Sequence, residues 1–149
     1  KQVFAVRLML ESAMTRTFAR QVKPAQIKAL KAHITAEKKA MDRNDVGQRT
    51  ELLGDFHVVM AELMGNAVLA QMLGDLISRC ALITLMYQST SAAEHSHEEH
   101  EAIVLALANK DEDTAVRLMQ EHLQHVEEGL TFDRDMPTSD LSMALSSVS

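Results

Sequence analysis

The helical spacing of apolar residues is the feature that most constrains how this chain folds. From Val3 through Val6 to Leu10, and along most of the sequence, apolar residues recur every three or four positions, which places them on one face of an α-helix. No segment alternates apolar and polar residues as a half-buried strand does. The pattern therefore predicts an all-α fold, with helices over residues 2–20, 24–41, 46–64, 67–88, 94–109 and 111–130.

Composition supports one helical domain with an aliphatic core. Hydrophobic residues make up 46% of the 149 residues but aromatic residues only 3%, so Leu, Ala, Val, Ile and Met fill the core. A chain of this length can bury one core without disulfides. We place the domain at residues 1–132, and the shift to Asp, Ser, Thr and Pro after Phe132 predicts a flexible tail over residues 133–149.

Charge and cysteine content restrict the partners and the cellular location. The formal net charge of −6 argues against nucleic-acid binding by this segment, because contacts to phosphates need clustered Lys and Arg. The single Cys80 excludes an internal disulfide and suits a reducing cytosol. We recognise neither an apolar run of membrane-spanning length nor a signal peptide, and so expect a cytoplasmic protein without membrane contact.

Two segments predict how the chain continues and packs. Lys1 already lies within a helical pattern and is not Met, so we expect a further segment before it. From Ala81 to Met86 the sequence is apolar throughout, which predicts that the fourth helix is buried between neighbouring helices.

Three of the seven histidines continue the apolar stripe of a predicted helix: His57, His100 and His122. A buried imidazole needs a hydrogen-bond partner, a water or a metal, because burial without one is costly. Taken singly, each fits a hydrogen-bonded core histidine. Three on separate helices favour a metal site, for which zinc is the first choice and nickel or iron are alternatives. Such a site would keep coordination positions open for water or an effector oxygen.

The run from Glu94 to Glu101 is rich in histidine and glutamate but does not present them all to one point. We expect four histidines at the surface: His33, His95, His97 and His125. Three carboxylates are expected on a solvated face, and one of them could hydrogen-bond a metal-bound histidine: Glu98, Glu99 or Glu101.

Two arginines interrupt apolar surroundings and are candidates for binding an effector. Arg7 could pair with Glu11 one turn later, and Arg79 could pair with Asp75. Alternatively, either guanidinium could point into a pocket and bind a carboxylate through forked hydrogen bonds. We therefore take Arg7 and Arg79 as the candidate contacts of an acidic effector.

Several sequence blocks together resemble a known family. In order they are Val3–Glu11, Asp55–His57 leading to Gly65–Asn66, Glu99–Ile103, and Asp111–Ala115 leading to His122–Leu123. They resemble the FadR-type C-terminal domain, FCD, of GntR transcription regulators. The resemblance implies an antiparallel bundle of about six or seven helices that forms a homodimer and binds a small effector, commonly a carboxylic acid. It also implies a winged helix-turn-helix domain before Lys1, through which the regulator contacts operator DNA.

The resemblance further implies a metal site. Metal-binding FCD domains hold the ion with one aspartate and three histidines, and these histidines correspond to His57, His100 and His122. The aspartate stands one helical turn before the first histidine, where this chain has Leu53. The early arginine of the family corresponds to Arg7, whereas the role of Arg79 is inferred from its setting.

Three functions fit these residues. The first is a ligand-sensing and dimerisation domain without catalytic activity. The second is a small metal-dependent hydrolase or metal-binding helical bundle, since an open three-histidine site also suits hydrolysis. The third is a structural interaction module in which the histidines are hydrogen-bonded core residues.

Overall fold

A computed structural model describes residues 1–134 and shows six helices in this range, with no strand among these residues. The helices are α1 (Gln2–Gln21), α2 (Pro24–Asp42), α3 (Val46–Leu63), α4 (Ala67–Tyr87), α5 (Thr90–Ala108) and α6 (Glu112–Arg134). The all-α prediction is therefore confirmed. Residues 135–149, most of the predicted tail, lie outside the described residues, while residues 133 and 134 continue α6.

Side-chain caps explain where several helices begin. Asp45 accepts a hydrogen bond from the backbone of Gln48 at the start of α3, and Asn66 accepts one from Leu69 at the start of α4. Just before Asn66, Gly65 has a φ of 76°, a conformation that glycine adopts most easily. The sequence analysis left residues 89–93 outside its predicted helices, but residues 90–93 form the first turn of α5, which the Ser89 hydroxyl caps.

The core lies where α1, α2, α3, α5 and α6 meet, and α4 adds Ala70 and Leu73 to it. α1 packs on α6, α2 on α3 and α5, and α5 on α6. Short connections between α2 and α3 and between α5 and α6 make these neighbours antiparallel. Fully buried apolar side chains from five helices fill the centre: Phe18, Leu30, Phe56, Met60, Ile103, Leu107 and Met119.

Helix α4 is the exception to this burial. It packs chiefly on α3, and only Ala70 and Leu73 are buried along its length. Leu82 is 66% exposed and Met86 is 47% exposed, so the prediction that this helix is buried was wrong. Most apolar residues of α4 therefore lie at the surface of the bundle. Composition alone does not show whether an apolar helix is buried in the core or exposed at the surface.

Helix α4 is also long and apolar enough to cross a membrane, by length and composition only. The expectation that no apolar run reaches this length was wrong, because the two charged residues of α4, Asp75 and Arg79, do not reduce its average hydropathy enough. A single helix of this kind is weak evidence for a membrane segment.

Candidate functional site

Three histidines from three helices meet inside the bundle. His57 lies on α3, His100 on α5 and His122 on α6, and each is at most 2% exposed. Each can offer one ring nitrogen to a set of donor atoms that all lie within 4.8 Å of one another. The structure thus brings together the three residues that the sequence analysis selected as candidate metal ligands.

A glutamate carboxylate stands at Nδ1 of each of these rings. The pairs are His57 with Glu11, His100 with Glu37 at 2.8 Å, and His122 with Glu99 at 2.9 Å. An ionised carboxylate accepts hydrogen bonds and donates none, so Nδ1 of each ring carries the proton. Each Nε2 therefore keeps its lone pair, which is the form of imidazole that binds metals.

One contact within the cluster joins two nitrogens that both lack a proton. Nε2 of His100 lies 3.1 Å from Nε2 of His122. Burial lowers the pKa of His122 to about 4 and also lowers the pKa of His100, so neither ring gains a second proton at neutral pH. Two facing lone pairs repel, whereas a shared cation attracts both. Two imidazole ligands of a tetrahedral zinc ion stand about 3.3 Å apart, so the donor set fits a metal ion.

Ionised carboxylates surround the histidines. Burial acts to raise the pKa of Glu11, but attraction by His57 and Arg7 outweighs burial and lowers that pKa to about 2. Burial is likewise outweighed at Glu99, where hydrogen bonds from two histidines lower the pKa to about 2, and the pKa of Glu37 is lowered in the same way. Arg7 offsets one of these negative charges, and a divalent cation would offset much of the rest.

A cavity of about 640 Å³ lies beside the cluster and is lined by all three histidines. Its volume is within the range of about 300 to 1,000 Å³ that is usual for small-molecule sites. Arg7 lines the same cavity and donates from Nε to Glu11 at 2.8 Å, as its sequence spacing predicts. Its two terminal nitrogens make no hydrogen bond to any residue that the structure describes, so they remain available to a ligand.

Arg79 is placed elsewhere. It is exposed on α4, and it is not among the residues that line the cavity. Within residues 1–134 it forms no ion pair with Asp75 either. The structure therefore brings Arg7, but not Arg79, to the three histidines.

The position of the missing family aspartate is apolar and buried. Leu53 is 7% exposed and lines the cavity one helical turn before His57. Glu11 does not replace that aspartate as a ligand. Its carboxylate accepts a hydrogen bond from Nδ1 of His57, on the side of the ring away from Nε2. The chain accordingly offers three protein ligands to an ion in this cluster.

The four histidines expected at the surface divide into two groups. His95 and His125 are exposed, as predicted. His33 is partly buried, with Nε2 2.8 Å from the carbonyl oxygen of Leu52. The prediction for His97 was wrong, because this residue is 6% exposed and its Nδ1 lies 3.0 Å from Glu37. Helix α5 begins four residues earlier than predicted, which moves His97 away from the helix start and against α2.

The supporting glutamates were anticipated only in part. Glu99 hydrogen-bonds His122, as expected of one of the three carboxylates near His100. Glu37 was missed, although it continues the apolar stripe of Leu30 and Ile34 on α2, and an acidic residue on such a stripe is a usable signal.

Gln88 is a further residue that the sequence analysis missed. It lines the cavity, and its buried Oε1 has no hydrogen-bond partner among the described residues. The Nε atom of Arg49, close to the backbone of Gln88, is buried and unpartnered in the same way. Both atoms lie at the end of α4, where the sequence shows no distinctive pattern.

Comparison with known proteins agrees with the motifs. The FCD domain family matches residues 2–125. A protein named HTH-type transcriptional repressor NanR, from Citrobacter rodentium, is 31% identical over 124 residues, which cover 81% of this chain and 47% of the relative. Proteins of the same name from Escherichia coli K12 and Shigella flexneri are 32% identical over 126 residues, covering 81% of this chain and 46% of each relative.

The chain spans about half the length of these curated relatives. Its family match nevertheless extends over all six helices except the end of α6, and it includes the three histidines and their glutamate partners. The chain therefore belongs to the FCD domain family of GntR-type transcription regulators, as its sequence motifs predicted.

Proposed function

We propose that this chain is the ligand-sensing domain of a bacterial, cytoplasmic transcription regulator, and that it binds a small carboxylic acid beside a histidine-bound metal ion. The observation that carries the proposal is the set of three buried histidines, each oriented by a glutamate, at the wall of a cavity of about 640 Å³. Membership of the FCD family supports regulation as the role of this site.

His57, His100 and His122 are the proposed ligands of a divalent metal ion. Their unprotonated Nε2 atoms suit zinc first, with nickel or iron as alternatives. The bound ion supplies open coordination positions to which an oxygen of the effector can bind. The three glutamates keep the imidazole rings in the correct tautomer and orientation for this role.

Arg7 is the proposed second contact of the effector. Its Nε is held by Glu11, which fixes the plane of the guanidinium, and its terminal nitrogens remain free at the cavity. A carboxylate that binds these nitrogens forms charge-assisted hydrogen bonds inside a partly apolar cavity, where such bonds are strong. The Gln88 side chain, at the C-terminal end of α4, supplies a further polar group to the cavity.

A second copy of this chain is the proposed partner of its exposed apolar surface. Most of the exposed large apolar side chains lie on α1 and α4: Val6, Leu8, Met9, Val68, Met72, Leu82, Leu85 and Met86. A homodimer formed through α1 and α4 would remove these side chains from water. Operator DNA is then contacted by a winged helix-turn-helix domain outside these residues, in keeping with the net charge of −6 here.

A metal-dependent hydrolase is the alternative function, because an ion with open positions beside a cavity can also activate water. Membership of the FCD family and the relatives named as transcriptional repressors favour regulation over catalysis. Zinc-dependent hydrolysis of p-nitrophenyl acetate that is lost in His122→Ala would support the alternative, and turnover no faster than free zinc supports the regulator.

The effector assignment is tested by calorimetry on zinc-loaded protein with acetate, succinate, citrate and gluconate as probes. Arg7→Met removes the charged donors but leaves Glu11 its partner His57, and it should weaken binding of the best probe by about 1.5 to 3 kcal/mol. Arg79→Met is the matched control, since this arginine lies outside the cavity lining, and it should leave the affinity unchanged.

Two outcomes would contradict the assignment to Arg7. One is an equal affinity of the best probe for the parent and for Arg7→Met, with thermal melts confirming that both are folded. The other is a loss of affinity in Arg79→Met alone, which would move the effector contact to the surface of α4.

A further inference from the structure

A second group of potential metal ligands lies on the outer side of α5 and α6. His95 and Glu99 stand one turn apart on α5, and His125 faces them from α6. Nδ1 of His125 is 2.5 Å from Glu99 Oε2, and Nε2 of His95 is 3.7 Å from the same oxygen. One donor atom from each residue fits within a group that is no more than 4.8 Å across.

The surroundings of this group differ from those of the buried cluster. The side chains of His95 and His125 are 60% and 47% exposed, whereas the Glu99 side chain is 15% exposed. A smaller, adjoining cavity of about 80 Å³ is lined by all three residues. A water molecule occupies about 30 Å³ in the liquid, so this cavity has room for an ion and the water that completes its coordination.

We propose that His95, Glu99 and His125 form a second, solvent-facing binding site for a divalent transition-metal ion such as zinc. Two imidazoles and one carboxylate are a donor set that binds zinc, iron and nickel with positions left open. The spacing of His95 and Glu99, four residues apart on one helix, places both side chains on the same face of α5. The contribution of His125 from α6 makes the site span two packed helices.

Glu99 belongs to both sites through different oxygens. Its Oε1 accepts the hydrogen bond from His122, and its Oε2 faces His95 and His125. The hydrogen bond from His122 to Oε1 holds the carboxylate in this orientation, so the outer site is built on a side chain that is already held in place. The outer ion therefore replaces the hydrogen bond between His125 and Glu99 without disturbing the inner contact.

The number of zinc ions bound per chain tests the proposal, measured by elemental analysis after equilibration with buffered free zinc. The parent should bind two ions. His95→Ala and His125→Ala should each bind one, and Glu98→Gln, an exposed control on the same helix, should bind two. Replacement of both His57 and His100 by Ala should leave one ion at the outer site, which separates this proposal from the proposed effector site.

Side-chain NMR of the histidines gives a second readout. The ring signals of His95 and His125 should shift with one zinc equivalent, and those of His57, His100 and His122 with the other. Variants of His95 and His125 that bind as many ions as the parent would overturn the second site, whereas a parent that binds one ion and loses it in these variants would instead contradict the inner site. Ring signals of His95 and His125 that do not respond to zinc would overturn it as well.

Discussion

At the scale of single residues, the inner histidines depend on their glutamates for the protonation state that a metal requires. A carboxylate at Nδ1 holds the ring in position and increases the electron density at Nε2. Glu37 does this for His100 while it is completely buried, and it also accepts from His97. The network therefore joins α2 to α5 at the level of the cluster.

Glu37→Gln should weaken zinc binding at the inner site about 10- to 100-fold, the usual effect of losing a carboxylate behind a histidine ligand. The amide has nearly the same volume and still accepts one hydrogen bond, but it carries no charge. Chelator competition at fixed pH measures the affinity. Glu98→Gln, on the exposed face of α5, is the control, and an equal affinity in both variants would contradict the role assigned to Glu37.

Leu53→Asp should increase zinc affinity, because it adds an oxygen donor one turn before His57 at the cavity wall. In the absence of metal the same change should lower the melting temperature, since Leu53 is 7% exposed and a carboxylate there lacks a partner. Zinc affinity and thermal stability are measured together. A variant that binds zinc no better and stays less stable at saturating zinc would show that this position is closed to a ligand.

The sequence could identify the histidines but not the complete network. His57, His100 and His122 occupy positions on regular apolar stripes, and helical geometry turns such a position into a prediction of burial. Their partners lie up to 63 residues away along the chain, as with His100 and Glu37. Which two interior polar residues meet depends on how the helices pack, and the spacing within one helix carries no information about that.

At the scale of helices, Gly54 sets the distance between α3 and α4. A Cβ at this position would lie 2.9 Å from Cγ2 of Ile77, and both residues line the cavity. Isoleucine has one strongly preferred rotamer in a helix, so Ile77 cannot easily turn away. The absence of a side chain at Gly54 thus allows α4 to lie close against α3.

Gly54→Ala should lower the free energy of unfolding, because an overpacked contact costs about 1 to 3 kcal/mol whereas alanine gains at most about 1 kcal/mol in helix propensity. Gly129→Ala is the matched control on α6, where an added Cβ meets no atom within 4 Å, and it should raise stability by up to about 1 kcal/mol. Chemical denaturation measures both. Equal stabilisation by the two substitutions would contradict the close contact between α3 and α4.

The helices themselves follow from the sequence because capping and periodicity are local. Asp45 and Asn66 are residue types that favour the N-cap position, and each accepts a backbone hydrogen bond at the start of its helix. The burial of α4 was predicted wrongly because a helix that packs into the core and a helix whose apolar face lies at the surface can have the same apolar composition. The packing of the other five helices decides between these two arrangements, and it leaves α4 outside the centre of the bundle.

At the scale of the whole molecule, the exposed apolar surface of α1 and α4 should hold two chains together. Met72→Glu places a charge on this surface, at a residue that is 44% exposed, and should shift the protein towards the monomer. Leu105→Glu is the control, because Leu105 is 64% exposed but lies on α5. Sedimentation velocity over a range of concentrations measures the equilibrium. A parent that is monomeric throughout, or a control that dissociates equally, would contradict this interface.

Helix α4 contributes to both the cavity and that surface, and Leu82 and Leu85 belong to both. Ile77 and Ala81 face the cavity, while Val68 and Met72 are exposed on other parts of the helix. In the proposed dimer, an effector in the cavity and the second copy would therefore contact the same helix and some of the same side chains. Communication between the two would then need no relay of residues, because a small displacement of α4 would change both surfaces at once.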